Sequence, residues 1–338
     1  MIDKLSDNRD IDLLGYPFDQ YQRYQDIRLV VDTIRSHEQR SSLRVLDVGG
    51  TPLSKTFLPN DSVVTTNLEL GSSVQLQSDG ARLALADRSF DVVLTCDTIE
   101  HIPFDRRPAF IAELLRVSQA YTIITGPFSN GFNEAAETAL SEFLTNVVGF
   151  EHRFLNEHLQ NGLPSLDGTL DAIARTAAQT IIVPSGYIQH WLPLMIIKHD
   201  LWRIAGGQAI ADELDRYYNY TNYWHDHRLP SYRQIVVAAQ SAHTAALDPI
   251  QRAFDRSDPK AAPDLNGVLA MWQALRWSTV LKDRAETLNR LRAEYESKIN
   301  QLRSENQRLT ALVAAYRTGR FIRFMAAWKQ LVGAIFNR

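Results

Sequence analysis

The sequence predicts an α/β domain on a parallel sheet with a helical, aromatic-rich cap, followed by a coiled coil and an amphipathic terminal helix. Three observations predict this. Short buried-strand signals alternate with helical stretches in the first part of the chain, an apolar residue recurs every seventh position from Leu281 to Tyr316, and the last segment is basic with one apolar face. A chain of 338 residues, 45% hydrophobic and 22% charged, has the composition of a folded protein. At about 100–200 residues per domain it suits one large domain with an appendage.

The elements follow in order. Residues 11–40 read as a lead-in helix, with Tyr21, Tyr24, Ile27, Val31 and Ile34 at helical spacing. LRVLDV (43–48), SVVTTN (62–67), FDVVLTC (90–96) and YTIITG (121–126) read as strands, and PAFIAELLRV (108–117) as an amphipathic helix between the last two. TIIVP (180–184) and RQIVVAA (233–239) are further strand candidates that could complete the sheet. Between about 130 and 230 the pattern loosens into helices and loops, which form the cap. Residues 187–232 carry nine of the eighteen Trp and Tyr and no Phe. Such rings, apolar with a polar edge, suit a sugar-binding face, although core packing is the default for each one.

Prolines 249, 259 and 263 among Ala, Asp and Ser suggest a linker, so the expected division is 1–245 for the α/β domain with its cap, 246–275 for the linker, 276–316 for the coil and 317–338 for the final helix. In the coil, Leu281, Leu288, Tyr295, Leu302, Leu309 and Tyr316 form one seam row, with Ala285, Arg292, Ile299, Asn306 and Val313 as the other. A buried Asn such as Asn306 fixes register, so a dimer or trimer is expected; a single helix packed on the body is the alternative. In the last segment Phe321, Phe324, Met325, Trp328, Leu331, Val332, Ile335 and Phe336 share one arc, with Arg320 and Arg323 mostly opposite. That is the pattern of a helix lying in an anionic membrane surface, or of one packed on protein.

Charge is divided the same way. Residues 1–280 carry a net −10, 281–316 a net +2 and 317–338 a net +5. An acidic body argues against a nucleic-acid partner. The single cysteine, Cys96, excludes a disulfide framework and a thiolate zinc site and suits a reducing compartment. With no run of eighteen apolar residues, and no secretory signal in MIDKLSDNRDIDLLG, the expected location is cytoplasmic, peripheral on the inner face of the plasma membrane.

The chemistry-bearing segment is VLDVGGTP (45–52), which places an acid at a strand end, then two glycines and a turn. Glycine lets a backbone approach a ligand closely; a tight structural turn is the plainer reading. Glu69, just past the second strand, stands where a carboxylate can accept from both ribose hydroxyls, and Asn67 is its rival. SDGARLALADRSFDVVLTCDTIEHIP (78–103) and YTIITGP (121–127) follow. This order of features resembles the class I S-adenosylmethionine-dependent methyltransferases, well over residues 43–127 and plausibly over 11–245. The resemblance implies a Rossmann-like fold and S-adenosyl-L-methionine as cofactor. It would place Asp47, Gly49 and Gly50 along the methionine moiety, Glu69 on the ribose, Asp79 and Gly80 at the adenine amine, and Asp97, Thr98, Glu100 and His101 where cofactor meets acceptor. Gly49-Gly50-Thr51-Pro52 departs from the family's Gly-x-Gly spacing.

A hydroxyl acceptor needs a base near neutral pH, and histidine is the natural choice. His101, directly after the acids, is the first candidate as base or as an orienting residue; His158, with His152 in EHRFLNEHLQNGLP (151–164), is the second. Their spacing matches no zinc template, so no metal is expected. Arg23, flanked by Tyr21 and Tyr24, could meet the cofactor's carboxylate, or the helix could simply pack on the sheet. The expected activity is O-methylation of a sugar or surface polysaccharide at the membrane face. A lipid-linked or small-molecule hydroxyl is the rival acceptor, and a non-catalytic scaffold on a degenerate methyltransferase fold is the rival function.

Overall fold

The computed structural model describes residues 13–68, 74–177, 179–255 and 265–336. Among them, seven strands form one sheet in the order β3-β2-β1-β4-β5-β7-β6. These are β1 (Arg44–Val48), β2 (Ser62–Asn67), β3 (Leu76–Gln77), β4 (Phe90–Cys96), β5 (Ser118–Pro127), β6 (Gln179–Tyr187) and β7 (Ser231–Ala239). Strands β3 to β5 pair in parallel, while β7 runs antiparallel to both β5 and β6. All six strands expected from the sequence are present. The two-residue β3 is additional, and it is too short to leave a periodic signal.

Alternation along the strands divides the core between the two faces of the sheet. Val45, Val92, Leu94 and Val237 face α1 (Phe18–His37), which contributes Tyr21, Tyr24, Ile27, Val31 and Ile34. Leu46, Val48, Val93, Ile124 and Val236 face α3 (Arg107–Val117), which contributes Phe110, Ile111, Leu114 and Leu115. A short helix, α2 (Leu53–Phe57), follows the glycine turn, and Pro108 sits in the first turn of α3, where a missing N–H costs nothing. The lead-in helix therefore covers the sheet, as its apolar spacing requires.

The strand order reverses between β1 and β4. Pairing of Val45 with Val92 and Asp47 with Leu94 brings the carboxyl ends of these two strands side by side. Ligands of open α/β sheets bind at this crevice.

The cap is made by α4 (Phe132–Phe143), α5 (Arg153–Asn161), α6 (Leu166–Ala174), α7 (Ile188–Leu201) and α8 (Gly207–Thr221). Its aromatic segment is mostly internal: Trp191, Tyr218, Tyr223 and Tyr232 are buried, and Trp191 stacks on Tyr232 with centroids 3.7 Å apart. Only Trp202, Tyr217 and Tyr220 of this set are exposed large rings. Four of the nine rings of the segment read as a sugar-binding face are therefore core.

Within the expected linker 246–275, the described residues are largely helical. Leu247–Phe254 form a helix, α9, whose Leu247, Ile250 and Phe254 are buried in the main core, and residues 256–264 lie outside the described set. Pro249 falls in the first turn, which tolerates it. The chain divides into two compact units, 1–265 and 266–338. The second holds α10 (Asn266–Thr318), a continuous helix of 53 residues that starts ten positions before the expected coil, and α11 (Arg320–Phe336). At 1.5 Å per residue α10 is about 80 Å long. No helix among the described residues is long and apolar enough to cross a membrane.

Candidate active site

The glycine turn leaves β1 at the switch point. Gly49 has φ +80°, and a Cβ there would overlap the Thr98 side chain. A Cβ on Gly50 would overlap the Asp47 carboxyl, so both positions are closed to larger residues. The Gly49 N–H donates to the Thr66 carbonyl at 2.8 Å, and Asn67 Nδ2 reaches the Gly49 carbonyl at 3.4 Å. The turn is therefore tied to β2 and faces Thr98 after β4.

Beneath it, Asp47 is fully buried and neither carboxyl oxygen has a hydrogen-bond partner. Burial pushes its pKa up to about 7, against a smaller pull from Ser54 and Arg23. An unsatisfied buried carboxyl is costly, and a positively charged ligand group would relieve that cost.

Asp97 is held differently. It adopts φ +47°, rare for a residue with a side chain, and its N–H donates to the Thr125 carbonyl at 2.9 Å. Arg23 Nη1 donates to its Oδ2 at 2.6 Å, and Arg233 donates from Nε and Nη2 at 2.6–2.9 Å. Burial alone would raise its pKa, but the two guanidinium groups prevail and hold it below the usual carboxylate range. Arg23, expected to meet the cofactor, is thus committed through Nη1 to Asp97, while its Nε remains buried without a partner. Arg233 was not anticipated. It lies 136 residues from Asp97 in a strand otherwise read only as apolar, and no local signal marks it.

Asp79 is partly exposed and pairs with Arg106; it also accepts from the Ala81 N–H at 3.0 Å. Arg106 and that N–H lower its pKa. Gly80 packs where a Cβ would meet Phe110 and Val48, so this glycine is required by the core beside any ligand role. Glu69 lies outside the described residues. Asn67, its rival, stands at the end of β2 against the glycine turn.

The two candidate bases meet. His101 lies in the short turn Ile99–His101 after β4, and His158 lies on α5; their Nε2 atoms are 3.4 Å apart. His158 Nδ1 is 2.8 Å from Glu137 Oε1, which also accepts from the Tyr232 hydroxyl at 2.7 Å. His101 Nδ1 lies 2.9 Å from Glu157 Oε2. Burial, then His158, lowers the pKa of His101. Glu100 is 1% exposed and its Oε2 has no partner; burial and Asp97 raise its pKa well above the carboxylate range. Ligand-type atoms of Glu100, His101 and His158 all lie within 4.8 Å of one another. No sequence spacing showed this, because the histidines are 57 residues apart. His152 stands elsewhere in role: its Nδ1 accepts from the Leu155 N–H at 3.4 Å and caps α5.

Residues 41–121, which contain the glycine turn, Asp79 and the β4 turn, match the methyltransferase domain family. That match agrees with the resemblance to the class I S-adenosylmethionine-dependent methyltransferases over this part of the chain. No curated protein matches it. Solved structures with a similar fold include the magnesium protoporphyrin IX methyltransferase of Synechocystis PCC 6803 with bound SAH, at 13% identity, 66% of this chain, 84% of that one and a TM-score of 0.37. An S-adenosylmethionine-dependent methyltransferase of Thermotoga maritima aligns at 12% identity over 66% of this chain and 96% of its own, with a TM-score of 0.37. A protein of an antibiotic biosynthesis pathway in Anabaena variabilis aligns at 13%, over 64% and 98%, with a TM-score of 0.40.

The residues at the switch point suit S-adenosyl-L-methionine, the cofactor that the methyltransferase resemblance implies. The orphaned Asp47 carboxyl offers two acceptors for an ammonium group, the closed glycine turn admits only a ligand lying along its backbone, and Arg23 Nε is an unused buried donor.

Proposed function

We propose that this methyltransferase transfers a methyl group to a hydroxyl of a polar acceptor, a sugar of a surface polysaccharide, at the cytoplasmic face of the membrane. The observation that carries the hydroxyl reading is the His101–His158 pair next to the β4 turn. When bound, the cofactor supplies an electrophilic methyl on a sulfonium, whose positive charge disappears as the methyl leaves. Asp47, Gly49 and Gly50 would hold its methionine end, Asn67 or Glu69 the ribose, and Asp79 the adenine amine. Thr98 would close the floor between cofactor and acceptor.

A hydroxyl must lose its proton in this reaction. His101 is partly exposed and His158 is fixed from behind by Glu137, so these imidazoles are placed to promote that loss. Asp97 is fully engaged by two arginines and is a brace for the turn rather than a base. Placing two reactants in line supplies several kcal/mol of the barrier by itself.

The tail supports the membrane reading. Leu281, Leu288, Tyr295, Leu302 and Leu309 are exposed along α10, as are Phe321, Phe324, Trp328 and Leu331 along α11. We infer that the first row pairs copies of the chain into a dimer or trimer and that the second, beside Arg320 and Arg323, lies in an anionic membrane. Joining copies multiplies the binding of one helix.

The test is turnover and cofactor affinity measured together. His101→Ala should lower turnover by about 10²–10⁴ and leave S-adenosylmethionine affinity unchanged. Wild-type chain that binds cofactor yet methylates no hydroxyl in a panel of sugars, glycolipids and small alcohols would end the acceptor proposal.

A further inference from the structure

We propose that Glu100, His101 and His158 form a binding site for one divalent transition-metal cation, with zinc as the best fit. Glu137 Oε1 accepts from the Tyr232 hydroxyl and lies 2.8 Å from His158 Nδ1, an arrangement that suits a hydrogen on Nδ1 and a lone pair on Nε2. His101 Nδ1 has Glu157 Oε2 at 2.9 Å but off hydrogen-bond geometry, so its tautomer is free to suit a cation. With the His101 hydrogen likewise on Nδ1, two bare Nε2 atoms face each other across 3.4 Å. Such an arrangement is repulsive unless something positive lies between them.

The spacing fits a metal. Two zinc–nitrogen bonds of about 2.05 Å at a tetrahedral angle separate the nitrogens by about 3.3 Å. Glu100 supplies the third ligand. Its Oε1 is 3.9 Å from His158 Nε2, its side chain is buried, and its Oε2 has no hydrogen-bond partner. Two imidazoles and a carboxylate are a donor set for zinc and its first-row neighbours. Both histidines have a carboxylate near the far nitrogen, the arrangement that orients metal-binding imidazoles. Three protein ligands leave a coordination position open. His101 is the one partly exposed member, so the opening faces its side.

Where the methyl-acceptor reading holds, that open position lies next to the acceptor, and the cation would polarise its hydroxyl as a Lewis acid. The ligand geometry itself does not depend on that reading.

The test uses the full chain freed of metal with a chelator. Calorimetric titration with zinc chloride should show one zinc per chain. Cobalt chloride should give the visible absorption of a four-coordinate ion. His101→Ala and Glu100→Gln should each weaken zinc binding by more than 100-fold, and Glu137→Gln by about 10–100-fold, the usual value of a carboxylate behind a ligating histidine. His37→Ala should change nothing. His101 is partly exposed, so its variant should keep the fold, and circular dichroism checks this. Absence of saturable zinc binding, or the same affinity in folded His101→Ala, overturns the site and leaves a histidine pair sharing a proton. Cofactor binding is measured separately. Zinc binding without cofactor binding defeats the methyl-transfer reading alone, and cofactor binding without zinc binding defeats the metal site alone.

Discussion

The two units of the chain use apolar residues in opposite ways. In the body, the residues of the central strands β1, β4, β5 and β7 are nearly all buried, and a charge taken inside can be answered within the chain, as Arg23 and Arg233 answer Asp97. In α10, across 53 residues, no side chain is buried, although a leucine or tyrosine recurs at every seventh position. One sequence pattern is consumed by the fold; the other is left facing outward. An exposed seam of this regularity is what the proposed pairing of copies would use.

The most drastic way to break the comparison is to end the chain at Leu265. If the seam joins copies, light scattering should fall from a dimer or trimer mass to a monomer mass while the body still binds S-adenosylmethionine. An unchanged oligomeric state would put the assembly contact in the body. Next in size is Gly49→Val. A β-branched residue at φ +80° is strained and would overlap Thr98, so calorimetry should register no cofactor binding while tail-dependent assembly is untouched.

Asp47→Asn has a smaller effect with a defined sign. The folded carboxyl has a pKa of about 7 against an ordinary 3.8, so the folded state keeps a proton that the unfolded chain releases. Its stability contribution is fully present below about pH 4 and is lost as pH rises to 7. Asparagine carries no such penalty, so urea unfolding at pH 8 should show the variant more stable by a few kcal/mol, with the gap narrowing at pH 5. Cofactor binding should be lost in the same variant. Equal stability at both pH values would mean that Asp47 is satisfied in a way its surroundings do not show.

The smallest effect concerns α11. Wild-type protein should sediment with anionic vesicles at low salt, and each basic residue at the surface adds about 1 kcal/mol. Phe324→Glu with Trp328→Glu should shift the protein to the supernatant without altering methyl transfer to a soluble acceptor. Sedimentation that survives both changes would place membrane contact elsewhere.

Legibility followed the range of the interactions. The six strands of three or more residues were readable, since each carries its own run of Val, Ile and Leu. The glycine turn was readable for the same reason: acid, glycines and proline are adjacent. Helix α9 was missed because composition was weighed over spacing, although Leu247, Ile250 and Phe254 fall on one helical face. Glu137 and Arg233 could not be found. Each acts on a residue brought close only by folding, across 21 and 136 positions. The histidine pair was half legible: both members stood out, but nothing along the chain said that they touch.

The bracing of Asp97 has a consequence in time. Its two arginines lie 74 residues before it and 136 residues after it. During synthesis the turn after β4 emerges with one guanidinium available, and the other appears only when β7 leaves the ribosome. Until then a carboxylate destined for the interior lacks its stronger counter-charge, and the sheet lacks the strand that closes it against β5. A chain that ends before residue 233 lacks both the Arg233 pair with Asp97 and the β5–β7 ladder. The crevice between β1 and β4 is laid down well before β7, and it is finished only when β7 arrives.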